Sequence, residues 1–284
     1  MSPILDAREV QTVQGMFAGG EPLNLHLHSH AVTIGDDEFG ITVNVRSVQS
    51  LCSGYICEDI AMEAIVLLFN SRDKAICGAY KEVNENKVGY IPRVPSIYIS
   101  IKLSKLLFES NNVSLDSLLQ HPLVIELVSS KTLLSQYRTV IPFFWSLFQE
   151  WVLIIIESMA KRIQVIFPRY HSSIGCPTTA DDRVTLNTVI REVLLKIIQH
   201  SDIENFVESS WAFVYSDPED VNDKLLLVGD AQTVVYDRKD SGVFVLYAME
   251  TDYFNAPFYA PERRDWDNFR IRMAYCLLSK QLYN

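Results

Sequence analysis

Apolar residues are concentrated in three runs near the middle of the chain, separated by short polar breaks. Residues 139–145 (TVIPFFW), 150–157 (EWVLIIIE) and 163–167 (IQVIF) are rich in β-branched and aromatic side chains, which favour extended strands. The polar stretch SMAKR separates the second run from the third by a length typical of a hairpin connection. These runs predict the strands of a sheet core that contains a hairpin.

Other segments repeat their apolar residues every three or four positions, which predicts amphipathic helices. Such segments occur at 53–72, 181–201 and 266–282, while 94–110 and 113–130 predict short helices with connecting segments. In the first of them, Glu58 and Asp59 precede the apolar positions, where negative charge stabilises a helix start. The short segment SGVFVLYAME is apolar on all sides and predicts a buried helix beginning at Ser241, which is expected to serve as its N-cap.

The first forty residues have a different pattern, with the turn-rich stretches AGGEP and GDDEFG on either side of LNLHLHSHAVTI. The alternation in that middle stretch predicts a strand or a hairpin arm. We therefore expect an N-terminal extension or β-arm over residues 1–40 and one domain over residues 41–284. Helices and strands in this order predict an α+β fold in which a mixed or antiparallel central sheet is flanked by helices.

Composition narrows the classes of function. The net charge is −10 and no cluster of Lys and Arg is present, which argues against a nucleic-acid or anionic-membrane surface. The N-terminus lacks a signal-peptide pattern and the most apolar run is interrupted by Gln149 and Glu150, so we expect an intracellular protein, nuclear or cytoplasmic. Five cysteines without a C-x-x-C pair indicate neither a disulfide framework nor a zinc knuckle. We expect no cofactor.

Three histidines offer a candidate metal site. If HLHSH is a strand, His26, His28 and His30 lie on one of its faces, because side chains alternate with a period of two. Imidazoles in this arrangement can bind zinc. The alternative is an exposed polar face of a β-arm, which the sequence favours because the spacing identifies no cysteine or acidic ligand to complete the site.

Three stretches, in order, resemble the SUMO-specific (ubiquitin-like-protein) cysteine protease family, relatives of the adenovirus protease. GYICEDIAMEAI resembles the family's W-L-N-D-x-I-I helix start, VIPFFWSLFQEWVLIIIE its I-P-(loop)-H-W-x-L-x-V-I segment, and KDSGVFVLYAME its D-C-G-V-F-V segment. The ordered set spans nearly the whole chain. The resemblance implies a papain-like fold of the ubiquitin-like-protease type.

The same resemblance implies that every catalytic position is changed. The family's catalytic His corresponds to Glu150, its Asp to Phe167 and its nucleophilic Cys to Ser241. A thiolate nucleophile needs an adjacent base, and the base needs a third group to orient it. We therefore expect no catalytic residues and a pseudoenzyme. The alternative is an active Ser-dependent hydrolase or acyltransferase, which would need His171 or His200 close to Ser241.

Binding features are retained more fully than catalytic ones. Tyr55 stands where the family has the Trp of W-L-N-D, and Trp151 keeps the Trp that follows the catalytic His. The resemblance implies that these rings cover a tunnel for a modifier's diglycine tail and that Glu58 faces a basic residue of the modifier. The alternative is that both rings are core aromatics. We expect a protein-binding or scaffolding pseudoprotease whose partner is a ubiquitin-like modifier or an unrelated protein.

Overall fold

The computed structural model describes residues 6–17, 29–35, 40–52, 56–87, 89, 96–109, 114–129, 138–146, 149–166, 169–170, 180–200, 207–216, 234–235, 238–253 and 263–282. The helices are α1 (Ala7–Phe17), α2 (Val45–Cys52), α3 (Asp59–Asn84), α4 (Ile101–Glu109), α5 (Leu115–Leu119), α6 (Pro122–Ser129), α7 (Ala180–His200), α8 (Ser241–Tyr253) and α9 (Arg263–Ser279). The strands are β1 (His30–Ile34), β2 (Ile41–Asn44), β3 (Ile97–Tyr98), β4 (Arg138–Trp145), β5 (Glu150–Glu157), β6 (Arg162–Ile166), β7 (Arg169–Tyr170), β8 (Ala212–Ser216) and β9 (Val234–Val235).

A five-stranded sheet forms the centre of the molecule, in the order β3-β4-β5-β6-β8. The two middle pairings, β4 with β5 and β5 with β6, are antiparallel, and the two outer pairings are parallel. The sheet is therefore mixed, and with its flanking helices it confirms the predicted α+β class. The three central apolar runs are β4, β5 and β6, as the sequence predicted.

Both faces of this sheet are covered, which explains why β5 is apolar at consecutive positions. Trp151, Leu153 and Ile155 belong to a core cluster shared with α3, α8 and α9. The alternate residues Val152 and Ile154 belong to a second cluster that includes residues of α4, α6 and α7. A strand buried on both faces is expected to lose the polar alternation of a half-exposed strand.

The N-terminal region packs on the rest of the chain. Strand β1, from the predicted N-terminal extension, pairs antiparallel with β2 of the predicted domain. Helix α1, which the residue pattern did not predict, contacts α9. Val13 of α1 is in the core, and the buried carboxylate of Glu9 lies 3.8 Å from Arg272 of α9. Glu9 also accepts the Asp6 N–H at 2.7 Å, which stabilises the start of the helix.

Several other elements match the sequence predictions, with changed bounds. The helix expected over 53–72 is α3, which continues to Asn84. The segment 94–110 contains the short strand β3 before helix α4. The four cysteines that the structure describes, Cys52, Cys57, Cys77 and Cys276, are in the reduced thiol form. No helix in the described part of the chain is long and apolar enough to cross a membrane.

Candidate functional site

Ser241 is the first residue of α8, where the sequence analysis expected a helix to begin. The helix packs against β5, and the side chain of Ser241 is completely buried. Its hydroxyl oxygen accepts a hydrogen bond from the backbone N–H of Trp151 at 3.0 Å. The N-cap prediction is therefore corrected in one respect: this hydroxyl bonds to the neighbouring strand and joins α8 to the start of β5.

Trp151 is the second residue of β5 and is also completely buried. Its indole Nε1–H donates to the carbonyl oxygen of Cys57 at 3.3 Å, and its ring centroid lies 5.1 Å from that of Phe144. A buried tryptophan needs a partner for its N–H, and this carbonyl supplies one. In this structure Trp151 is a core aromatic, which is the alternative that the sequence left open.

Gly242 allows an unusually close contact between α8 and the segment before α3. A Cβ atom placed on Gly242 would lie 2.7 Å from both Cβ and Sγ of Cys57, and 3.0 Å from Cδ1 of Trp151. These separations are well below ordinary carbon–carbon and carbon–sulfur contact distances. Only glycine therefore fits here without movement of the backbone or of Cys57.

Arg270 of α9 contacts residues next to the α8 start, at the end of α2 and just before Ser241. Its guanidinium is completely buried and donates to the carbonyl oxygens of Leu51 and Lys239, each at 3.1 Å. It also forms an ion pair with Asp240, the residue before Ser241. A buried guanidinium is stable only when its donors are satisfied. Arg270 thus ties the end of α2 and the start of α8 to one helix.

The two cysteines near this junction are protonated at neutral pH. Burial raises the pKa of the Cys57 thiol to about 11, although the positive charge of Arg270 lowers it in part. Burial likewise raises the pKa of the Cys52 thiol to about 12. Because the thiolate is the nucleophilic form of cysteine, neither thiol can replace the cysteine that the family has at position 241.

The positions of the family's Cys and His come together in space. Glu150, at the His position, is the first residue of β5 and is buried next to Trp151, whose N–H contacts Ser241. Phe167, at the Asp position, lies outside the described residues. Glu150 and Ser241, which the resemblance assigned to these two positions, therefore lie close to each other in the described part of the chain.

The alternative hydrolase needs an imidazole at Ser241, and His200 does not supply it. His200 is exposed at the end of α7, where its Nδ1 lies 3.0 Å from the carbonyl oxygen of Lys196. Ser241, in contrast, is buried under β5. His171, the other candidate base, lies outside the described residues.

The start of α3 carries the remaining candidate binding residues. Glu58 precedes the helix, and its carboxylate is paired with Arg46 at 3.0 Å and accepts the Ser47 hydroxyl at 2.7 Å. The charge expected to face a modifier is thus already paired within the chain. Tyr55 lies outside the described residues.

The candidate metal site is described only in part. His30 is exposed at the start of β1, with Nε2 2.9 Å from the hydroxyl oxygen of Thr33. His26 and His28 lie outside the described residues. Among the residues that the structure does describe, no group of three potential metal ligands is found.

Two residues that shape the site were missed by sequence reasoning. Cys57 was counted only among the cysteines, and Arg270 is an ordinary polar position of an amphipathic helix. The small Gly242 after Ser241 was the one local signal of a close approach. Nothing in the sequence indicates which side chain would approach it.

Comparison with solved structures identifies the fold. The chain superposes on the C-terminal Ulp1 protease domain, solved in complex with Smt3, the yeast ortholog of SUMO, with a TM-score of 0.61 and 13% identity over 98% of this chain and 97% of that one. This chain has the Ulp1 protease fold. It is also similar to the Ulp1-like SUMO protease catalytic domain of Chaetomium thermophilum, with a TM-score of 0.56 and 15% identity over 100% of this chain and 93% of that one.

A third solved structure, a de-sumoylating protease, has a TM-score of 0.51 and 11% identity over 87% of this chain and 90% of that one. No family model and no curated protein matches the sequence. The Ulp1 protease fold is therefore recognised here through its architecture, at identities too low to transfer an activity.

Proposed function

We propose that this protein is a pseudoprotease with the Ulp1 protease fold that acts as a protein-binding or scaffolding module. The observation that carries the proposal is the hydrogen bond from the Trp151 N–H to a completely buried Ser241 hydroxyl. A nucleophile must reach the substrate's carbonyl carbon and pass its proton to a base. Here the oxygen at the nucleophile position is enclosed in the core.

The residue types at the catalytic positions support the same proposal. An alcohol is a far weaker acid than a thiol, so it needs a stronger or better-oriented base to act as a nucleophile. Glu150 replaces the imidazole, and Phe167 at the Asp position has no group that could orient a base. We propose that the protein has no peptidase or isopeptidase activity on SUMO or ubiquitin precursors.

The proposed partner is a protein, either a ubiquitin-like modifier or an unrelated one. The Ulp1 protease domain that this fold matches was solved in complex with Smt3, which supports the modifier as the first partner to test. The Asp–Cys interval of the chain, 167 to 241, is longer than the family needs, and this extra length supports an unrelated partner.

A cleavage assay with two variants tests the absence of activity. Wild type, Ser241→Ala and Ser241→Cys are incubated with SUMO and ubiquitin precursors, with an active SUMO protease as the positive control. We expect no cleavage by any of the three, because Ser241→Cys restores a thiol without its imidazole. Cleavage by wild type that is lost in Ser241→Ala would refute the proposal and favour the Ser-dependent hydrolase.

A binding experiment tests the proposed protein-binding role. The intact protein is immobilised and exposed to purified modifiers, and separately to cell extract with identification of bound proteins by mass spectrometry. Saturable binding of one purified candidate supports a binding role. If no candidate reproduces specific binding when purified, the scaffolding proposal fails.

A further inference from the structure

The residues around Ser241 form a packed contact between three segments. Ser241, Trp151 and Cys57 are each buried, the first two completely. They belong to the start of α8, to β5 and to the residues immediately before α3. The position that corresponds to a nucleophile is therefore enclosed by protein atoms from three separate parts of the sequence.

Cys57 fills the space directly against α8. Since even one carbon on Gly242 would approach Cβ and Sγ of Cys57 to 2.7 Å, no peptide group could be placed between these two residues. Close-packed interiors accommodate added volume only by moving their neighbours. A chain end could reach this point only if Cys57 moved.

Two hydrogen bonds also fix the position of the backbone at Cys57 and Glu58. Its carbonyl oxygen accepts the Trp151 indole N–H at 3.3 Å, and the backbone N–H of the next residue, Glu58, donates to the Ser50 hydroxyl at 3.0 Å. Moving the segment would break both bonds and leave a buried indole N–H without an acceptor, which is costly. The contact is thus held by the same bonds that position Trp151.

We propose that Cys57 closes the floor of the former catalytic cleft, and that a ubiquitin-like modifier is recognised by its folded body without its diglycine tail reaching Ser241. This inference rests on the proposed function and replaces the arrangement implied by the resemblance, in which the tail passes between Tyr55 and Trp151. Binding in this mode does not distinguish a mature modifier from one with an extended tail, because neither end enters the protein.

Alkylation of the two neighbouring cysteines tests the closure. The folded protein is treated with iodoacetamide for increasing times, quenched and digested with chymotrypsin, which cleaves after Tyr55 and so separates Cys52 from Cys57. Cys52 is partly exposed and serves as the internal reference. We expect Cys57 to react at least about tenfold more slowly, since its alkylation requires local opening.

If the thiolate fraction alone set the rate of alkylation, Cys57 would react faster than Cys52. The pKa of Cys52 is raised to about 12 and that of Cys57 to about 11, so Cys57 has the larger thiolate fraction at any given pH. Slower alkylation of Cys57 therefore reports access to the sulfur. Equal or faster alkylation of Cys57 in the folded protein would overturn the closure.

A matched pair of glycine variants controls this measurement. Gly242→Ala forces Cys57 to move and is expected to speed its alkylation, whereas Gly78→Ala, where no atom lies within 4 Å of the added carbon, should not. In protein unfolded by urea, iodoacetamide should alkylate both cysteines at similar rates. Should Gly242→Ala fail to fold, the wild-type comparison of Cys57 with Cys52 still decides the question.

Titration of modifiers with and without their tails tests the binding mode. Calorimetry is carried out with the mature modifier, a tail-extended form and a form truncated before the diglycine. We expect the three dissociation constants to agree within about threefold, which corresponds to less than 1 kcal/mol. A loss of tenfold or more on truncation would overturn the inference. If none of the three forms binds, a ubiquitin-like modifier is not the partner and the proposed binding mode fails with it. The alkylation experiment still tests separately whether Cys57 closes the cleft floor.

Discussion

Two helices of this protein begin at polar residues whose surroundings are very different. At the start of α8, Ser241 and Gly242 are packed against Trp151 and Cys57. At the start of α3, Glu58 and Asp59 lie at the surface and are paired with Arg46 and Lys105. A helix N-terminus attracts hydrogen-bond acceptors and negative charge in both places.

The difference between them is access to solvent. At the α3 start the carboxylates of Glu58 and Asp59 are partly exposed, so they remain hydrated and solvent screens their ion pairs. The α8 start is surrounded by β5 and by the segment before α3, so its polar atoms must be satisfied within the protein.

The largest contrast between the two regions is expected for truncation of a buried ring. Trp151→Ala removes a fully buried indole, its contact with Phe144 and its bond to the Cys57 carbonyl, and should cost about 3–5 kcal/mol of unfolding free energy. The matched variant at the α3 start is Ile60→Ala, where the side chain is 44% exposed, and it should cost less than about 1 kcal/mol. Urea unfolding measures both. Comparable losses in the two variants would show that Trp151 is not part of a packed junction.

The second contrast compares two helical glycines. Gly242→Ala introduces a carbon 2.7 Å from Cys57, and overpacking of this kind should destabilise the protein by about 1–3 kcal/mol. Gly78→Ala in the middle of α3 meets open space, so the better helix propensity of alanine should stabilise by about 0.5–1 kcal/mol. Thermal or urea unfolding of the two variants gives the sign of each effect.

A double variant identifies the source of the Gly242 effect. Cys57→Gly removes the two Cys57 atoms that the new carbon would contact at 2.7 Å, whereas Cys57→Ala leaves the Cβ contact in place. Gly242→Ala should therefore cost less in the Cys57→Gly background than in the Cys57→Ala background, as a double-mutant cycle would measure. An equal cost in both backgrounds would mean that the strain arises elsewhere.

The third prediction concerns Glu63, a buried carboxyl group one turn into α3 that differs from the partly exposed carboxylates at the start of the same helix. Glu63 accepts the N–H of Ile101, the first residue of α4, and burial raises the pKa of its carboxyl above the ordinary value, although that N–H opposes the shift. The folded-state pKa therefore lies above the unfolded one, and the stability that Glu63 contributes is present below the unfolded pKa and is lost as pH rises through the folded pKa.

The Glu63 variant isolates this titration. In Glu63→Gln the amide oxygen can still accept the Ile101 N–H but does not titrate. As pH rises from the ordinary glutamate pKa of about 4.3 toward neutrality, the wild type should lose stability relative to Glu63→Gln until the raised folded-state pKa is passed. Unfolding free energies across this range measure the difference, and the exposed Glu85→Gln controls for the removal of one negative charge. A difference that is flat with pH would contradict the shifted pKa.

The smallest effect is expected for the surface ion pair at the α3 start. Arg46 and Glu58 are 3.0 Å apart, with side chains 60% and 33% exposed. Arg46→Ala should cost no more than about 1 kcal/mol, because solvent screens an exposed pair. The loss should shrink further in 0.5 M salt, which urea unfolding at two salt concentrations would measure. A loss as large as that of Trp151→Ala would place this pair in the structural core.

Local pattern alone predicted much of the fold. The consecutive apolar residues of β5 predicted a strand, and the three- and four-residue spacing predicted α3, α7 and α9, because side-chain periodicity follows backbone geometry. Helix α1 was missed because its few apolar residues are set among polar ones and its stability depends on packing against α9.

The amino-acid sequence by itself determined that a helix begins at Ser241 and that the central apolar runs form the strands of a sheet core. Only the tertiary structure decided what surrounds that helix start. Cys57 lies 184 positions before Ser241 (241 − 57 = 184), and Arg270 lies in the last helix. Their meeting depends on how the α3 and α9 helices pack beside β5, and contacts between distant segments leave no periodic signal in a single chain.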